Sequence, residues 1–249
     1  MSFSKMVVLI TGGSAGIGAT TAELFAKECA TVAIVGRNEA NLNKVAKCCE
    51  SFGAPSLAIK ADIATDEAAN LIVKKTIDKF GKLDVLVNNA GILREAALEA
   101  DNFLKIFDDV MNVNIRGAAR LTYYAAPHII KTKGNIINIS SIAGLCTQRP
   151  KNIAYRTSKA ALNHFSRSVA LELAPHGVRV NSICPGPTHT GLFDGLAVTA
   201  DDLKSKAALN RVLDTIEIAN MILYLASDKA KGITGSNFLI DNGVLLMYK

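Results

Sequence analysis

The hydrophobic residues of the chain fall into short, nearly uninterrupted runs, which alternate with longer segments in which apolar residues recur at helical spacing. Continuous short apolar runs are typical of parallel strands buried on both faces. They predict strands over 6–10, 31–36, 56–60, 84–88, 135–140, 178–183 and 237–241. The amphipathic segments predict helices over 17–29, 39–51, 66–80, 99–126, 153–174 and 214–226.

The third predicted helix carries start and stop signals in its sequence. Thr65 can cap its first turn, Asp66 and Glu67 suit the positive end of a helix dipole, and Gly81 ends it. Repeated strand–helix–strand units predict an α/β fold, a doubly wound parallel sheet of about seven strands with helices on both faces. Ligands bind such sheets at the carboxyl ends of the strands, so those loops should hold the chemistry.

Composition narrows the protein class. No Pro/Ser-rich linker, charge block or repeat divides the 249 residues, so a single domain over 1–249 is expected. The net charge is +6, but the basic residues are scattered and Trp is absent, which argues against a nucleic-acid partner. Five cysteines without metal-ligand spacing indicate reduced thiols and no metal site. The lack of a signal peptide and of a membrane-length apolar run favours a cytoplasmic protein with no membrane span.

The loop after the first strand reads TGGSAGIG and opens a helix. Gly12, Gly16 and Gly18 allow a sharp turn and the close approach of a diphosphate, which the N–H groups of the helix N-terminus can bind. The spacing is G-x-x-x-G-x-G rather than the common G-x-G-x-x-G. A glycine-rich turn without a ligand is the alternative.

The second and third strands end in residues that bear on cofactor choice. Arg37 stands where dinucleotide folds often place an acid for the ribose hydroxyls. A guanidinium can bind a 2′-phosphate, so NADP(H) is favoured and NAD(H) is the alternative, unless Arg37 is simply solvated. Asp62 can bind the adenine amino group or serve as a turn residue.

Seven motifs occur in the order and spacing of one enzyme family. They are TGGSAGIG (11–18), NNAG (88–91), NVNIRG (112–117), NISSIAG (138–144), YRTSK (155–159), VNSICPGPTHT (180–190) and GSNFLIDNG (235–243). Over essentially its whole length the chain resembles the short-chain dehydrogenase/reductase family. The resemblance implies a Rossmann-like fold and hydride transfer with a nicotinamide cofactor.

The resemblance also assigns roles to individual positions. Asn114 would kink a helix and hold a water, and Ser141, rather than its neighbour Ser140, would hydrogen-bond the substrate oxygen. The implied cofactor-binding positions are Gly12, Ser14, Gly16, Ile17, Gly18, Arg37, Asp62, Ile63, Asn88, Ala90, Gly91, Tyr155, Lys159, Pro185, Gly186, Thr188 and Thr190.

Tyr155 and Lys159 lie one helical turn apart and therefore on one helix face. A nearby ammonium is expected to lower the phenol pKa from its usual value near 10. Tyr155 would then act as general acid or base, with Lys159 also holding the cofactor ribose. Asn114, through water, would complete a proton path to Lys159.

The sequence defines the substrate-binding part of the site less well than the cofactor-binding part. A lid over about 186–210 and the segment after NNAG suggest an apolar pocket, unless the lid merely closes on the protein surface. The candidate contacts are Ile92, Leu93, Gln148, His189, Leu192, Phe193 and Leu196.

The polar loop with Gln148, Arg149, Lys151 and Asn152 can contact an anionic or polar substrate, or it can be a solvated loop. Arg156 replaces an expected small residue and can touch a subunit interface or the preceding loop; Arg94 is expected at the rim.

Three functions follow as hypotheses. The first is an NADP(H)-dependent carbonyl reductase or alcohol dehydrogenase for a small apolar substrate, steroid-like, isoprenoid or aliphatic. The second is a 3-oxoacyl thioester reductase of lipid metabolism, and the third is a non-catalytic cofactor-binding redox sensor or scaffold. The family resemblance implies a homotetramer or homodimer, formed by the helices near 99–126 and 153–174 and by the C-terminal region.

Overall fold

The computed structural model of the protein describes residues 3–147, 150–194 and 199–247. Its strands form one parallel sheet in the order β3-β2-β1-β4-β5-β6-β7. The strands are β1 Val7–Thr11, β2 Thr31–Gly36, β3 Ser56–Lys60, β4 Val85–Asn88, β5 Asn135–Ile139, β6 Arg179–Pro185 and β7 Asn237–Ile240. The predicted α/β fold is confirmed, and the strand order reverses direction between β1 and β4, where ligands of such sheets bind.

Helices cover both faces of the sheet. They are α1 Gly16–Lys27, α2 Glu39–Ser51, α3 Asp66–Phe80, α4 Phe103–Met111, α5 Ala118–Thr132, α6 Ile153–Leu173, α7 Ala200–Lys204 and α8 Thr215–Ala226. One buried apolar cluster joins the sheet to α1, α2 and α8, and a second joins it to α3, α5 and α6. With apolar layers on both sides, the strands are buried nearly throughout, which is why their sequences are continuously hydrophobic.

The signals of the third helix act as predicted. Thr65 accepts a hydrogen bond from the Ala68 backbone N–H, acidic residues fill the first turn, and Gly81 ends α3 in the left-handed conformation. Its φ of 78° is readily adopted by glycine, which has no Cβ.

The predicted helix over 99–126 is wrong in its limits and its regularity. The structure has α4, then a π-helical turn over Asn112–Gly117, then α5, which continues past Pro127 to Thr132. Proline lacks an N–H donor and usually ends a helix, yet Pro127 lies inside α5. The π turn inserts an extra residue into the helical register, a feature frequent at functional sites.

The described residues can be compared with what the composition predicted about cysteines, metal ligands and membrane spans. All five cysteines are free thiols, and no cluster of His, Cys, Asp or Glu in these residues could hold a metal ion. No helix within the described part of the chain has the length and hydrophobicity needed to cross a membrane.

Candidate active site

A cavity of about 630 Å³ opens at the carboxyl ends of the central strands. The loops after β1, β4, β5 and β6 and the first turns of α6 line it. It brings together most residues predicted from the sequence: Gly12, Gly16, Ile17, Arg37, Ala90, Gly91, Ile92, Leu93, Ser141, Tyr155, Lys159, Pro185, Gly186, Thr188, Thr190, Leu192 and Phe193. Gln148 and Leu196 lie outside the described residues.

The glycine-rich loop is packed against the end of β4. A Cβ added at Gly18 would lie 2.3 Å from the Gly12 carbonyl oxygen, so no other residue fits there without movement. The Asn89 side chain donates to the Thr11 carbonyl at 2.9 Å, and the backbone N–H groups of Asn89 and Ala90 donate to the Thr11 hydroxyl. Gly18 therefore shapes the loop from behind rather than lining the cavity.

The N-terminus of α1 faces the cavity without a side-chain cap. Its N-cap, Ala15, makes no side-chain hydrogen bond, and no acidic residue lies in the first turn. Gly16, with a φ of 54°, and Ala15 both line the cavity. The helix N-terminus thus presents backbone N–H groups and a positive dipole end suited to an anion such as phosphate.

Arg37 lies at the end of the cavity nearest β2. Its Nη1 is 3.9 Å from Asp62 Oδ2, and both side chains are exposed. Exposed ion pairs of this kind contribute about 0–1 kcal/mol, so Asp62 holds Arg37 only weakly. Asp62 does not line the cavity, and its Oδ1 accepts the Ala64 backbone N–H, which fits the turn role left open by the sequence.

Tyr155, Lys159 and Ser141 form the centre of the cavity wall. Lys159 Nζ donates to the Ile139 carbonyl at 2.7 Å and lies 5.7 Å from the centroid of the Tyr155 ring. The Ser141 hydroxyl accepts the Ala143 backbone N–H at 3.1 Å. The neighbouring Ser140 hydroxyl donates to the Lys159 carbonyl, so Ser140 stabilises the helix contact while Ser141 faces the phenol.

Burial dominates the ionisation of both titratable groups at this centre. It raises the pKa of Tyr155 to about 12, against a smaller lowering by hydrogen bonding to Ser141. It lowers the pKa of Lys159 to about 8, against a smaller opposing effect of Cys184. The expectation that Lys159 lowers the Tyr155 pKa is wrong for the chain alone. Desolvation of the phenolate is the larger effect, and Nζ is directed at the Ile139 carbonyl.

Asn114 sits in the π turn, 1% exposed, behind the cavity wall. Its amide exchanges hydrogen bonds with the backbone of Ile92, at 2.8 and 2.9 Å, and donates to the Ser158 hydroxyl at 3.1 Å. It thereby ties the segment after β4 to α6, next to Lys159.

Four other predicted residues lie away from the cavity. Asn88 donates to Asn138 and Thr122 within the core. Ser14 packs beside Gly36, and Ile63 is buried against Gly117. His189 is exposed and lines a smaller hollow next to the cavity, with which the hollow shares Thr188 and Thr190, but His189 itself does not line the cavity. Their placement gives no support for direct contact with a ligand in the cavity.

The structure places in the cavity wall further residues that the sequence interpretation had not assigned to it. Asn89 lines the cavity and locks the glycine-rich loop, a role signalled only by the second Asn of NNAG. Arg94, Asn152 and Arg156 also line the cavity. The sequence interpretation had Arg94 at the rim, Asn152 in a polar loop and Arg156 at an interface or loop contact.

Known proteins match this chain over nearly its whole length. A family model described as enoyl-(acyl carrier protein) reductase matches residues 12–245. A short-chain dehydrogenase from Burkholderia cenocepacia, solved in complex with NADP, superimposes with a TM-score of 0.93 at 32% identity, over 98% of this chain and 100% of the other. The chain belongs to the short-chain dehydrogenase/reductase family.

Two curated relatives of this short-chain dehydrogenase/reductase come from Thermotoga maritima. One, an uncharacterised oxidoreductase, is 39% identical over 98% of each chain. The other, a 3-oxoacyl-(acyl-carrier-protein) reductase, is 35% identical over 99% of this chain and 100% of its own. The chain is thus an oxidoreductase of this family. Members of the family bind a nicotinamide cofactor.

The cavity of this short-chain dehydrogenase/reductase has features that fit such a cofactor. The uncapped α1 N-terminus suits a diphosphate, and Arg37 adds positive charge at one end. A Cβ at Gly91 would lie 3.4 Å from Lys159 Nζ, so the absence of a side chain keeps the wall beside that amine open.

Proposed function

We propose that this short-chain dehydrogenase/reductase interconverts a carbonyl and a secondary alcohol on a small molecule, with NADP(H) as cofactor. The observation that carries the proposal is the convergence of Tyr155, Ser141 and Lys159 on one cavity that also contains the glycine-rich loop and Arg37. When bound, the reduced cofactor supplies the hydride for the carbonyl carbon.

The chain's own residues divide the binding work by position. The α1 N-terminus with Gly12 and Gly16 binds the diphosphate, and Arg37 binds the 2′-phosphate that distinguishes NADP(H). Lys159 donates to the ribose hydroxyls. The segment after β6 forms the opposite wall through Pro185, Gly186, Thr188 and Thr190.

Tyr155 is the general acid for reduction and the general base for oxidation. With its pKa raised to about 12 by burial, the phenol keeps its proton in neutral solution, the state that a general acid requires. Ser141 donates a hydrogen bond to the carbonyl oxygen and polarises it for hydride addition. In oxidation the phenol must first lose its proton, and the positive charge of the oxidised nicotinamide would favour that loss when the cofactor is bound.

Asn114 acts through other residues. Its side-chain hydrogen bonds to Ile92 and Ser158 hold the cavity wall and the helix turn that precedes Lys159. We therefore assign it a positioning role, and a water-mediated proton path from Asn114 to Lys159 stays a prediction.

A 3-oxoacyl thioester reductase is the second candidate, supported by the relative of that activity at 35% identity. A thioester substrate and a simple ketone share the same reacting carbonyl, so the chemistry at Tyr155 does not separate them. This candidate would be favoured if kcat/KM for an acetoacetyl thioester of an acyl-carrier protein were far above kcat/KM for simple ketones.

Cofactor binding and turnover test the proposal together. Titrations with NADPH and NADH, followed by fluorescence, are expected to show tighter NADPH binding. Arg37→Asp should weaken NADPH binding and improve NADH binding, because a carboxylate repels the 2′-phosphate. Tyr155→Phe should lose about 10²–10⁴-fold in kcat/KM while it still binds NADPH.

Two outcomes would contradict parts of the proposal. Equal binding of both cofactors that Arg37→Asp leaves unchanged would remove the NADP(H) assignment. Tight cofactor binding without reduction of any ketone or thioester, or oxidation of any alcohol, in a broad panel would favour the non-catalytic sensor or scaffold.

A further inference from the structure

The π turn between α4 and α5 carries two asparagines whose side chains bind different loops. Residues two apart on a helix point to opposite sides of it. The Asn114 side chain donates to the Ile92 carbonyl after β4, whereas the Asn112 side chain donates to the Ala64 carbonyl at 3.1 Å. Ala64 belongs to the loop after β3, residues 61–65 (the β3 loop). The turn therefore connects the catalytic wall of the cavity to the β3 loop.

Arg120 of α5 strengthens the contact on the β3-loop side of the turn. Its Nη1 donates to Asn112 Oδ1 at 2.9 Å, and its Nε donates to Asp66, the first residue of α3. The Arg120 side chain is only 12% exposed, and charges shielded from solvent are screened less than surface pairs. Below this pair, a Cβ added at Gly117 would lie 2.8 Å from Ile63 Cδ1, so the loop packs directly on the turn.

The β3 loop also reaches the end of the cavity that contains Arg37. The Ala61 N–H donates to the carbonyl of Gly36, the residue before Arg37, at 3.0 Å. Asp62 Oδ2 lies 3.9 Å from Arg37 Nη1. The loop is thus held between the π turn on one side and the end of β2 on the other.

We propose that Asn112 and Arg120 are positioning residues for the adenosine end of the cofactor. They hold the β3 loop on the π turn, and the loop fixes the segment with Arg37, at the strand ends where a doubly wound sheet binds a dinucleotide. Neither residue is among the described residues that line the cavity, so both act without touching the cofactor. Because Asn114 holds the catalytic wall from the opposite side of the turn, mutations should separate cofactor affinity from turnover.

This inference rests on the proposed cofactor binding, and cofactor fragments test it without the need for a substrate. The probes are adenosine 5′-diphosphate, which NADPH and NADH share, and adenosine 2′,5′-bisphosphate, which carries the 2′-phosphate of NADPH. Calorimetric titration at about 0.3 M salt, which screens long-range charge effects, gives their dissociation constants. Ketone reduction at saturating NADPH gives kcat.

Two variants loosen the β3 loop in different ways. Arg120→Leu should weaken binding of both fragments about 3- to 30-fold and leave kcat at saturating NADPH within about two-fold. Arg120→Lys keeps a charge toward Asp66 but lacks the guanidinium fork, so it should restore part of the affinity. Asn112→Asp keeps an acceptor for Arg120 and loses the donor to Ala64, so it should also weaken both fragments.

Arg116→Leu is the matched control for the loss of a positive charge. Arg116 lies on the same π turn, but its Nη2 is 3.9 Å from Asp66 Oδ2 and its side chain is 65% exposed. Exposed pairs of this kind hold a loop only weakly, so both fragment affinities should stay within about two-fold of the wild type. Asn114→Ala should show the opposite division, with a lower kcat and retained fragment affinity.

The outcomes separate this inference from the proposed function. Fragment affinities that stay unchanged in folded Arg120→Leu and Asn112→Asp would overturn the positioning role, and so would an equal loss in Arg116→Leu. A fall in kcat as large as the fall in affinity would also overturn it, because it would mark a general disruption of the site. Fragment binding that depends on Arg120, in a protein that turns over no substrate, would support the positioning role and contradict the proposed hydride transfer instead. A wild type that binds neither fragment would overturn both.

Discussion

At the scale of single residues, Tyr155 and Lys159 share one buried environment that opposes both of their charged forms. Burial raises the pKa of the phenol to about 12 and lowers that of the ammonium to about 8. The same desolvation that keeps Tyr155 protonated makes the charge on Lys159 unfavourable in the folded protein. The centre of the cavity is therefore expected to reduce stability.

This environment predicts a pH dependence of stability for the cofactor-free protein. The Lys159 pKa of about 8 lies below its unfolded value of 10.5, so between these values the unfolded chain binds more protons. The free energy of unfolding should therefore rise with pH, by about 1–2 kcal/mol from pH 8 to 9.5 relative to Lys159→Met. Above pH 10 the raised pKa of Tyr155 acts in the opposite direction, because the unfolded chain then loses its proton first.

Urea unfolding of the wild type and of Lys159→Met at both pH values measures this difference. Subtracting the two profiles removes groups common to both proteins, including the cysteine thiols. Parallel profiles would show that Lys159 is not desolvated as its surroundings indicate.

At the scale of elements, the first turn of α1 packs closely on the loop after β1 because Gly18 has no side chain to separate them. The sequence predicted a phosphate cradle from glycine spacing, but spacing does not distinguish the glycine that faces the ligand from the one that faces the protein. The structure places Gly12 and Gly16 on the cavity and Gly18 against the Gly12 carbonyl.

Gly18→Ala should therefore disrupt the loop from within. Its Cβ would meet the Gly12 carbonyl oxygen at 2.3 Å and the Asn89 amide at 2.6 Å. We expect a loss of about 1–3 kcal/mol in unfolding free energy, larger than the roughly 1 kcal/mol that alanine gains in helix propensity, together with weaker NADPH binding.

Denaturant unfolding and NADPH titration check this prediction. Gly232→Ala is the control, since a Cβ there would meet nothing within 4 Å, and it should change stability by no more than about 0.5 kcal/mol. A Gly18→Ala protein as stable as the wild type with intact NADPH affinity would contradict the packing argument.

At the scale of the whole molecule, large apolar side chains remain exposed on the long helices. Leu104 on α4, Tyr123 on α5 and Leu171 on α6 are 72%, 74% and 81% exposed, and Leu246 near the C-terminus is 83% exposed. Exposed apolar groups at these places agree with the assembly that the family resemblance implies, through these helices and the C-terminal region.

We predict a homotetramer or homodimer that Leu171→Glu reduces to a smaller species, because a carboxylate is costly to bury in an apolar contact. Multi-angle light scattering at micromolar concentration measures the mass directly. Leu71→Glu, an exposed position on α3 outside the expected contacts, should keep the wild-type mass. A monomeric wild type would refute the assembly.

The amino-acid sequence was sufficient for the fold class and for most cavity residues. Buried parallel strands must be apolar throughout, and a cap such as Thr65 or a stop such as Gly81 acts within a few residues. The motifs carried Tyr155, Lys159 and Ser141 through the family resemblance, and the parallel sheet brings loops far apart in sequence to one edge. Local patterns of this kind can be interpreted without knowing what packs against them.

Other features were decided only by the tertiary structure, because they depend on contacts between distant segments. The π turn at Asn114 is held by hydrogen bonds to Ile92 and Ser158. The direction of the Tyr155 pKa shift depends on how much solvent the surrounding chain excludes, which the four-residue spacing to Lys159 does not reveal. Asn152 and Arg156 line the cavity through the packing of α6, whereas the sequence left Asn152 as either a substrate contact or a solvated loop residue, and Arg156 as an interface or loop contact.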